Sequence, residues 1–329
     1  MSDRISEKFT QKRLTDSKEA DADEDVEETR YELKTEKCGI LHVYVQGNIQ
    51  NLTLTTPLFL TIHDIGSNHT EFHRLVEHPC MAKLKARSVW VHVELPGQEF
   101  EAPDLSDSYS FPSMQEIGED LVHVLNFFNI KYCVVMGEGA GANIAARFVM
   151  SFPDRALGAI LINFHASVAG IMQYFNEKMM SWKLNAVGMN TTAEQYLIFH
   201  KFGNQMESRS DKDKAVTEYV KNLEKRMNAK NLRLYVEAYL NRNDICQQLK
   251  EKMKVDTMLV VGTRSSHVSA VEETQSHMDP KITTMVRIDD CGDVFADAPD
   301  TFAYDMLLFC QGLGLFSALP MSRHGSICS

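Results

Sequence analysis

The stretch "VVMGEGAGANIAARF", residues 134–148, reads as a buried strand, a glycine-rich turn and an apolar helix. Two chemistries use such a turn. In one, the glycines let the backbone approach a pyrophosphate at the helix N-terminus. In the other, small flanking residues permit a tight strand-to-helix elbow that lifts one central residue above the sheet as a nucleophile. A third possibility keeps the elbow and lacks the nucleophile. The neighbouring elements decide among them.

Short β-branched runs recur along the chain at 31–37, 40–45, 58–63, 88–93, 132–137, 158–163, 257–262 and 283–288. The first two lie close together around Gly39 and predict an antiparallel hairpin. From residue 58 onward, strands alternate with amphipathic helices such as 113–128, which demands crossovers and a parallel sheet covered on both faces. The expected fold class is α/β: an eight-stranded, mostly parallel sheet flanked by helices, in the layout of the α/β-hydrolase fold. One interval breaks the rhythm. Residues 166–250 hold helical stretches at 168–184, 191–202 and 210–240, the expected all-helical cap, between a core at 31–165 and 251–316. Residues 1–30 include "EADADEDVEE" (19–28), with seven carboxylates and no base, and predict a disordered acidic tail. Residues 317–329 predict a flexible C-terminal tail.

At 329 residues and 44% hydrophobic, the chain is long enough for one large core. A net charge of −11 argues against nucleic acid and anionic membrane as main partners. The seven cysteines are scattered without metal-ligand spacing, which predicts a reducing compartment and a cytoplasmic protein. No run of apolar residues suits a membrane span, so any membrane contact is expected to be peripheral or through partners.

As Gly-x-Gly-x-x-Ala, residues Gly137, Gly139 and Ala142 fit a dinucleotide turn. Four strands precede it, however, and the next strand ends on Asn163 where an acidic residue should hold the ribose. As an elbow, the frame is Gly137-Glu138-Gly139-Ala140-Gly141 after the fifth strand, where a nucleophile belongs. Its central residue, Gly139, has no side chain with which to attack. The acid's expected place after the seventh strand falls on Ser265, and the alternative acid position is Asn163. The histidine's place after the eighth strand falls on Asp293, which cannot serve as an imidazole base. On the oxyanion side, the expected amides are those of Ala140 and of the loop at Asp64 and Ile65. Asp64 stands where a hydrolase usually has glycine, and its charge would repel a developing oxyanion. Three altered triad stations with an acid added at the hole predict no enzyme activity.

With these residues in view, "HDIGSNH" (63–69), "LPGQEFEAP" (95–103), "YSFPSMQEIGEDLVHVLNFF" (109–128), "MGEGAGANIAARF" (136–148), "ILINFHASVAGIMQYFNEKMMSW" (160–182), "LVVGTRSSHVSAVEE" (259–273) and "DDCGDVFADAP" (289–299) resemble the N-myc downstream-regulated (NDRG) family. The resemblance spans nearly the whole fold. It implies an α/β-hydrolase fold without hydrolase activity, cytoplasmic, acting through protein partners in signalling, stress response, differentiation or vesicle traffic. The family's vertebrate members often carry long phosphorylated C-termini, whereas this chain ends in a short "SRHGSICS", which puts tail phosphorylation in doubt.

Other candidates compete with that reading. His63, His69, His73 and His78 lie close together, and with Asp64 they outline an alternative: an atypical or metal-dependent hydrolase near His63 and Asp64. No zincin spacing supports it, so no metal and no cofactor are expected. Glu138 lies beside the elbow tip and reads as a hydrogen-bonding residue. Met179, Met180, Trp182 and Phe199, with Lys221 and Lys225 on a charged helix, form a possible interaction surface for a protein partner.

Overall fold

The computed structural model describes residues 28–53, 56–168, 197, 198, 200, 212–317 and 319. The strands are β1 (Glu28–Lys34), β2 (Ile40–Gln46), β3 (Leu58–Ile62), β4 (Val89–Glu94), β5 (Cys133–Glu138), β6 (Ala156–Ile162), β7 (Thr257–Gly262) and β8 (Thr283–Ile288). They form one sheet in the order β1-β2-β4-β3-β5-β6-β7-β8. β2 runs antiparallel to β1 and β4, and every pair from β4 through β8 is parallel. The helices whose bounds fall within the described residues are α1 (His69–Glu77), α2 (Ala82–Lys85), α3 (Met114–Phe127), α4 (Ala140–Ser151), α5 (Lys212–Arg226), α6 (Ala229–Leu240), α7 (Cys246–Lys252), α8 (Val268–Ser276), α9 (Val294–Asp297) and α10 (Pro299–Gly312).

Alternation along the strands feeds two cores, one on each face. Leu60, Val91, Val135, Leu161 and Leu259 face α3, α4, α7 and α8. Phe59, Trp90, Val134, Ile160 and Met258 face α1 and α10. At the hairpin, the buried Asp120 of α3 accepts the amides of Lys37 and Cys38 at 2.8 and 2.6 Å, fastening the turn to the layer beneath.

Most strand ends fall within two residues of the sequence expectation, and three boundaries differ by more. β1 begins at Glu28, so Glu28 to Arg30 of the expected tail join the sheet. The strand also stops three residues before 37, because Thr35 and Gly39 close a turn through Thr35 N–H to Gly39 O at 2.6 Å. The helix expected at 210–240 is two helices. Asn228 has extended backbone and its side chain caps Asn231 N–H, ending one helix and starting the next. The rest of the 1–30 tail, the stretch 168–184 apart from Val168, nearly all of 191–202 and most of 317–329 lie outside the described residues.

One helix holds both roots of the 166–250 insertion. α4 is buried from Ala140 to Val149. Its Asn143 donates to His165 O at 2.9 Å, where the chain leaves β6. Its Arg147 donates to Asn243 Oδ1 and Asn243 O, both at 2.7 Å, where the chain returns. Burial lowers Arg147 to about 10, which still leaves it charged at neutral pH. Arg242 Nη2 then donates to Ser167 O at 2.9 Å and joins the two roots directly.

The elbow needs its small residues for steric reasons. A Cβ on Gly137 would lie closer than 3.0 Å to the Gly141 backbone, and one on Gly141 would strike the carbonyls of Ile62 and His63. Gly141→Ala is therefore expected to cost about 1–3 kcal/mol, as overpacking does. The check is a urea midpoint that falls with an unchanged denaturant slope.

Candidate functional site

The elbow between β5 and α4 holds Gly139 at φ 52° and ψ −112°, where left-handed backbone favours glycine. Gly139 N–H donates to Ile162 O at 2.9 Å, which ties the turn to β6. A Cβ at 139 would lie within 3.0 Å of both carboxylate oxygens of Asp64. The place a nucleophile would leave from is filled by a neighbouring side chain.

That side chain also occupies the oxyanion amides. Asp64 Oδ1 accepts Ala140 N–H at 2.8 Å and Ile65 N–H at 2.7 Å. These are the two donors that would face a developing oxyanion in an acyl-transfer enzyme. Its other oxygen, Oδ2, accepts from His200 Nε2 at 2.5 Å, and His200 belongs to the 166–250 insertion. Burial works against the Asp64 charge, but His200 and the two amides outweigh it and hold the carboxyl below its usual range.

The other stations converge on the same place. Asp64, Ser265 and Asp293 all line one pocket of about 360 Å³, together with Glu138, His200 and Arg264. Asn163 Nδ2 donates to Glu138 Oε1 at 3.3 Å at the floor. Ser265 Oγ accepts His267 N–H at 3.2 Å, so it shapes its own loop. Asp293 caps α9, accepting Phe295 N–H and Ala296 N–H, both at 3.1 Å. The carboxylate stabilises that helix start through two charge-assisted hydrogen bonds.

Histidines absent from the predicted set complete the pocket: His200 and His267 line it, and His165 touches His267. His267 Nδ1 and His165 Nε2 are 2.9 Å apart, and the His267 ring lies 4.9 Å from that of His200. Burial first, then His200, pushes His267 well below its usual range, and burial with His267 does the same to His165. Both are therefore neutral. His165 Nδ1 has no hydrogen-bond partner, which favours the tautomer in which His165 Nε2–H donates to His267 and only a lone pair is left unmet.

His63, His69 and His73 are each engaged by backbone or by carboxylates rather than gathered around one point. His63 Nδ1 donates to Asp64 O at 2.9 Å, and its Nε2 lies 3.1 Å from both Leu95 N and Glu94 Oε1, so both ring nitrogens are engaged. His69 Nδ1 lies 2.5 Å from Glu94 Oε2 and His73 Nδ1 lies 2.6 Å from Glu28 Oε2. Burial opposes charge on His69, but Glu28 and Glu94 raise it to about 9. These pairs bind α1 to β1 and β4. Met179, Met180, Trp182 and Phe199 lie outside the described residues, whereas Lys221 and Lys225 are exposed on α5.

Fold and site together define an α/β-hydrolase-fold protein whose own carboxylate fills the oxyanion amides. Solved structures bear out the fold. An esterase from Thermogutta terrifontis superposes with a TM-score of 0.60 at 15% identity, over 87% of this chain and 99% of the esterase. A hydrolase from Pseudomonas aeruginosa does so at 0.61 and 16%, over 85% and 97%. The chain belongs to the Ndr family, whose sequence profile matches residues 31–317. It is 39% identical to "Uncharacterized protein ZK1073.1" of Caenorhabditis elegans over 301 residues, 90% of each chain. It is 30% identical to Protein NDRG3 of Xenopus tropicalis over 320 residues, 94% of this chain and 79% of that one. Against Protein NDRG1-B of Xenopus laevis it is 32% identical over 294 residues, 87% and 71%.

A lowered carboxyl pKa contributes stability that is present above the unfolded value of 3.8 and is lost as pH falls through the folded one. Asp64→Asn is expected to cost about 1–3 kcal/mol at neutral pH, the range for an unsatisfied buried partner. The two unfolding curves, measured by chemical denaturation, should then converge as the pH drops below 3.8.

Proposed function

We propose that this chain is a non-catalytic α/β-hydrolase-fold protein that acts through protein partners in the cytoplasm. Its roles would be those the family resemblance implies: signalling, stress response, differentiation or vesicle traffic. One observation carries the proposal. The Asp64 carboxylate sits on the Ala140 and Ile65 amides and leaves no room for a side chain at 139. An enzyme of this fold needs both the nucleophile and the empty donors. Here one carboxylate opposes both: Oδ1 holds the two amides, and the whole group fills the space at 139. The two hydrolases compared above share the fold at 15% and 16% identity, which speaks for architecture alone.

With chemistry set aside, recognition falls to a surface, and the cap is the best placed. α5 buries Val216, and its Tyr219 and Leu223 lie against the loop at Gly66. Lys221 and Lys225 therefore face outward from a helix seated on the filled hole. The net charge of −11 disfavours nucleic acid as partner. Among the described residues, no helix is long and apolar enough to cross a membrane.

Two measurements test the reading. The purified chain should give no turnover of activated esters and no labelling by a fluorophosphonate probe. Turnover that is lost in His200→Gln would instead assign the pocket an Asp64–His200 acid–base chemistry and overturn the proposal. For the surface, the charge reversal Lys221→Glu with Lys225→Glu should lose a partner captured from cell extract at an unchanged Tm. Unaltered capture by the folded double variant would move the interface off α5.

A further inference from the structure

We propose that His78, Cys80 and Asp300 form a zinc site joining the turn after α1 to the first turn of α10. One donor atom from each of the three lies within 4.8 Å of the other two. His78 Nδ1 is 2.9 Å from Cys80 Sγ. Imidazole nitrogen, thiolate sulfur and carboxylate oxygen together are a zinc donor set, whereas calcium and magnesium prefer all-oxygen shells.

The backbone holds these donors in place before any ion arrives. Pro79 separates the first two and opens a short 3-10 turn. The residue before it, His78, has the extended backbone (φ −59°, ψ 138°) that a following proline imposes. Pro299 likewise opens α10 immediately before Asp300. Both donor segments thus have restricted backbones, which reduces the ordering cost of binding. Cys80 is only 1% exposed while Asp300 is exposed. An ion here would rest on the core beneath α1 and α10 and turn its fourth position outward, toward water.

The charges balance. One thiolate and one carboxylate neutralise Zn²⁺, so a half-buried ion carries no excess charge. In the absence of the ion, the Cys80 thiol donates toward His78 Nδ1. On binding, the S–H bond breaks, an S–Zn bond forms, and the proton leaves to solvent. The Nδ1 lone pair and an Asp300 oxygen complete the protein ligands. No electron moves. The long Cys80 N–H contact to Nδ1, at 3.4 Å, is given up. The spacing of histidines in the sequence could not show this site, because the carboxylate comes from the far end of the chain.

The test uses the full chain, stripped with a chelator and titrated with Co²⁺ as a spectroscopic stand-in, then with Zn²⁺. The expected result is one equivalent of Co²⁺ with a thiolate-to-cobalt charge-transfer band, bleached by Zn²⁺, and a zinc-dependent rise in Tm. Cys80→Ser should abolish the band. Asp300→Asn, at an exposed position that the core does not need, should weaken binding by about tenfold or more. That variant keeps the test valid if Cys80→Ser fails to fold. No band at equimolar Co²⁺ would overturn the proposal. So would a band that survives Cys80→Ser, or an affinity unmoved in Asp300→Asn, either of which would place the metal elsewhere, as at His324 and Cys328 in the tail.

Discussion

A carboxylate seated on two backbone amides organises this molecule. In an acyl-transfer enzyme the same amides wait for a charge that appears only in the transition state, and their value lies in being unoccupied until then. Here Asp64 supplies a permanent negative charge at 2.7 and 2.8 Å. Preorganised donors that would stabilise a transition state instead stabilise the ground state of the fold. A neutral side chain would not bind them as strongly, since charge-assisted hydrogen bonds are about twice as strong as neutral ones.

The same interaction reaches the insertion after β6. The oxygen of Asp64 that the amides do not use is taken by His200, so the loop after β3, the elbow after β5 and the insertion after β6 meet at one group. Below that point, α4 holds both roots of the insertion through Asn143 and Arg147. A cap hinged over a working active site needs freedom to admit substrate and release product. The described part of this insertion is tied at both roots and again at His200, contacts that an opening lid would have to break. Asp293 shows a parallel change: the station that would present a base to the pocket instead caps α9.

Much of this was legible before the structure. The elbow was readable because Gly137 and Gly141 have a steric reason that leaves few alternatives, and counting strands from it located Ser265 and Asp293. Strand cores were readable from their alternation, whereas ends were not: β1 begins at Glu28, in a segment whose acidic composition conceals its pairing with Gln46 of β2. The break at Asn228 was missed because an apolar stripe runs on across it. His200 was missed for a different reason. Its role depends on where the insertion folds back over β3, and no local spacing encodes that. The sequence places a carboxylate at the hole, but no local pattern shows that Asp64 turns inward to occupy the amides itself.

The most direct measurement is a stability cycle over Gly139→Ser and Asp64→Gly. A serine at 139 must find room for a Cβ where the Asp64 carboxylate lies, and removing that carboxylate opens the space. The account predicts strong coupling: Gly139→Ser destabilises the natural chain, yet costs much less once Asp64→Gly is present, by an interaction energy of about 1–3 kcal/mol. Additive effects, or a Gly139→Ser variant as stable as the natural chain, would contradict it, because Asp64 would then not occupy the site.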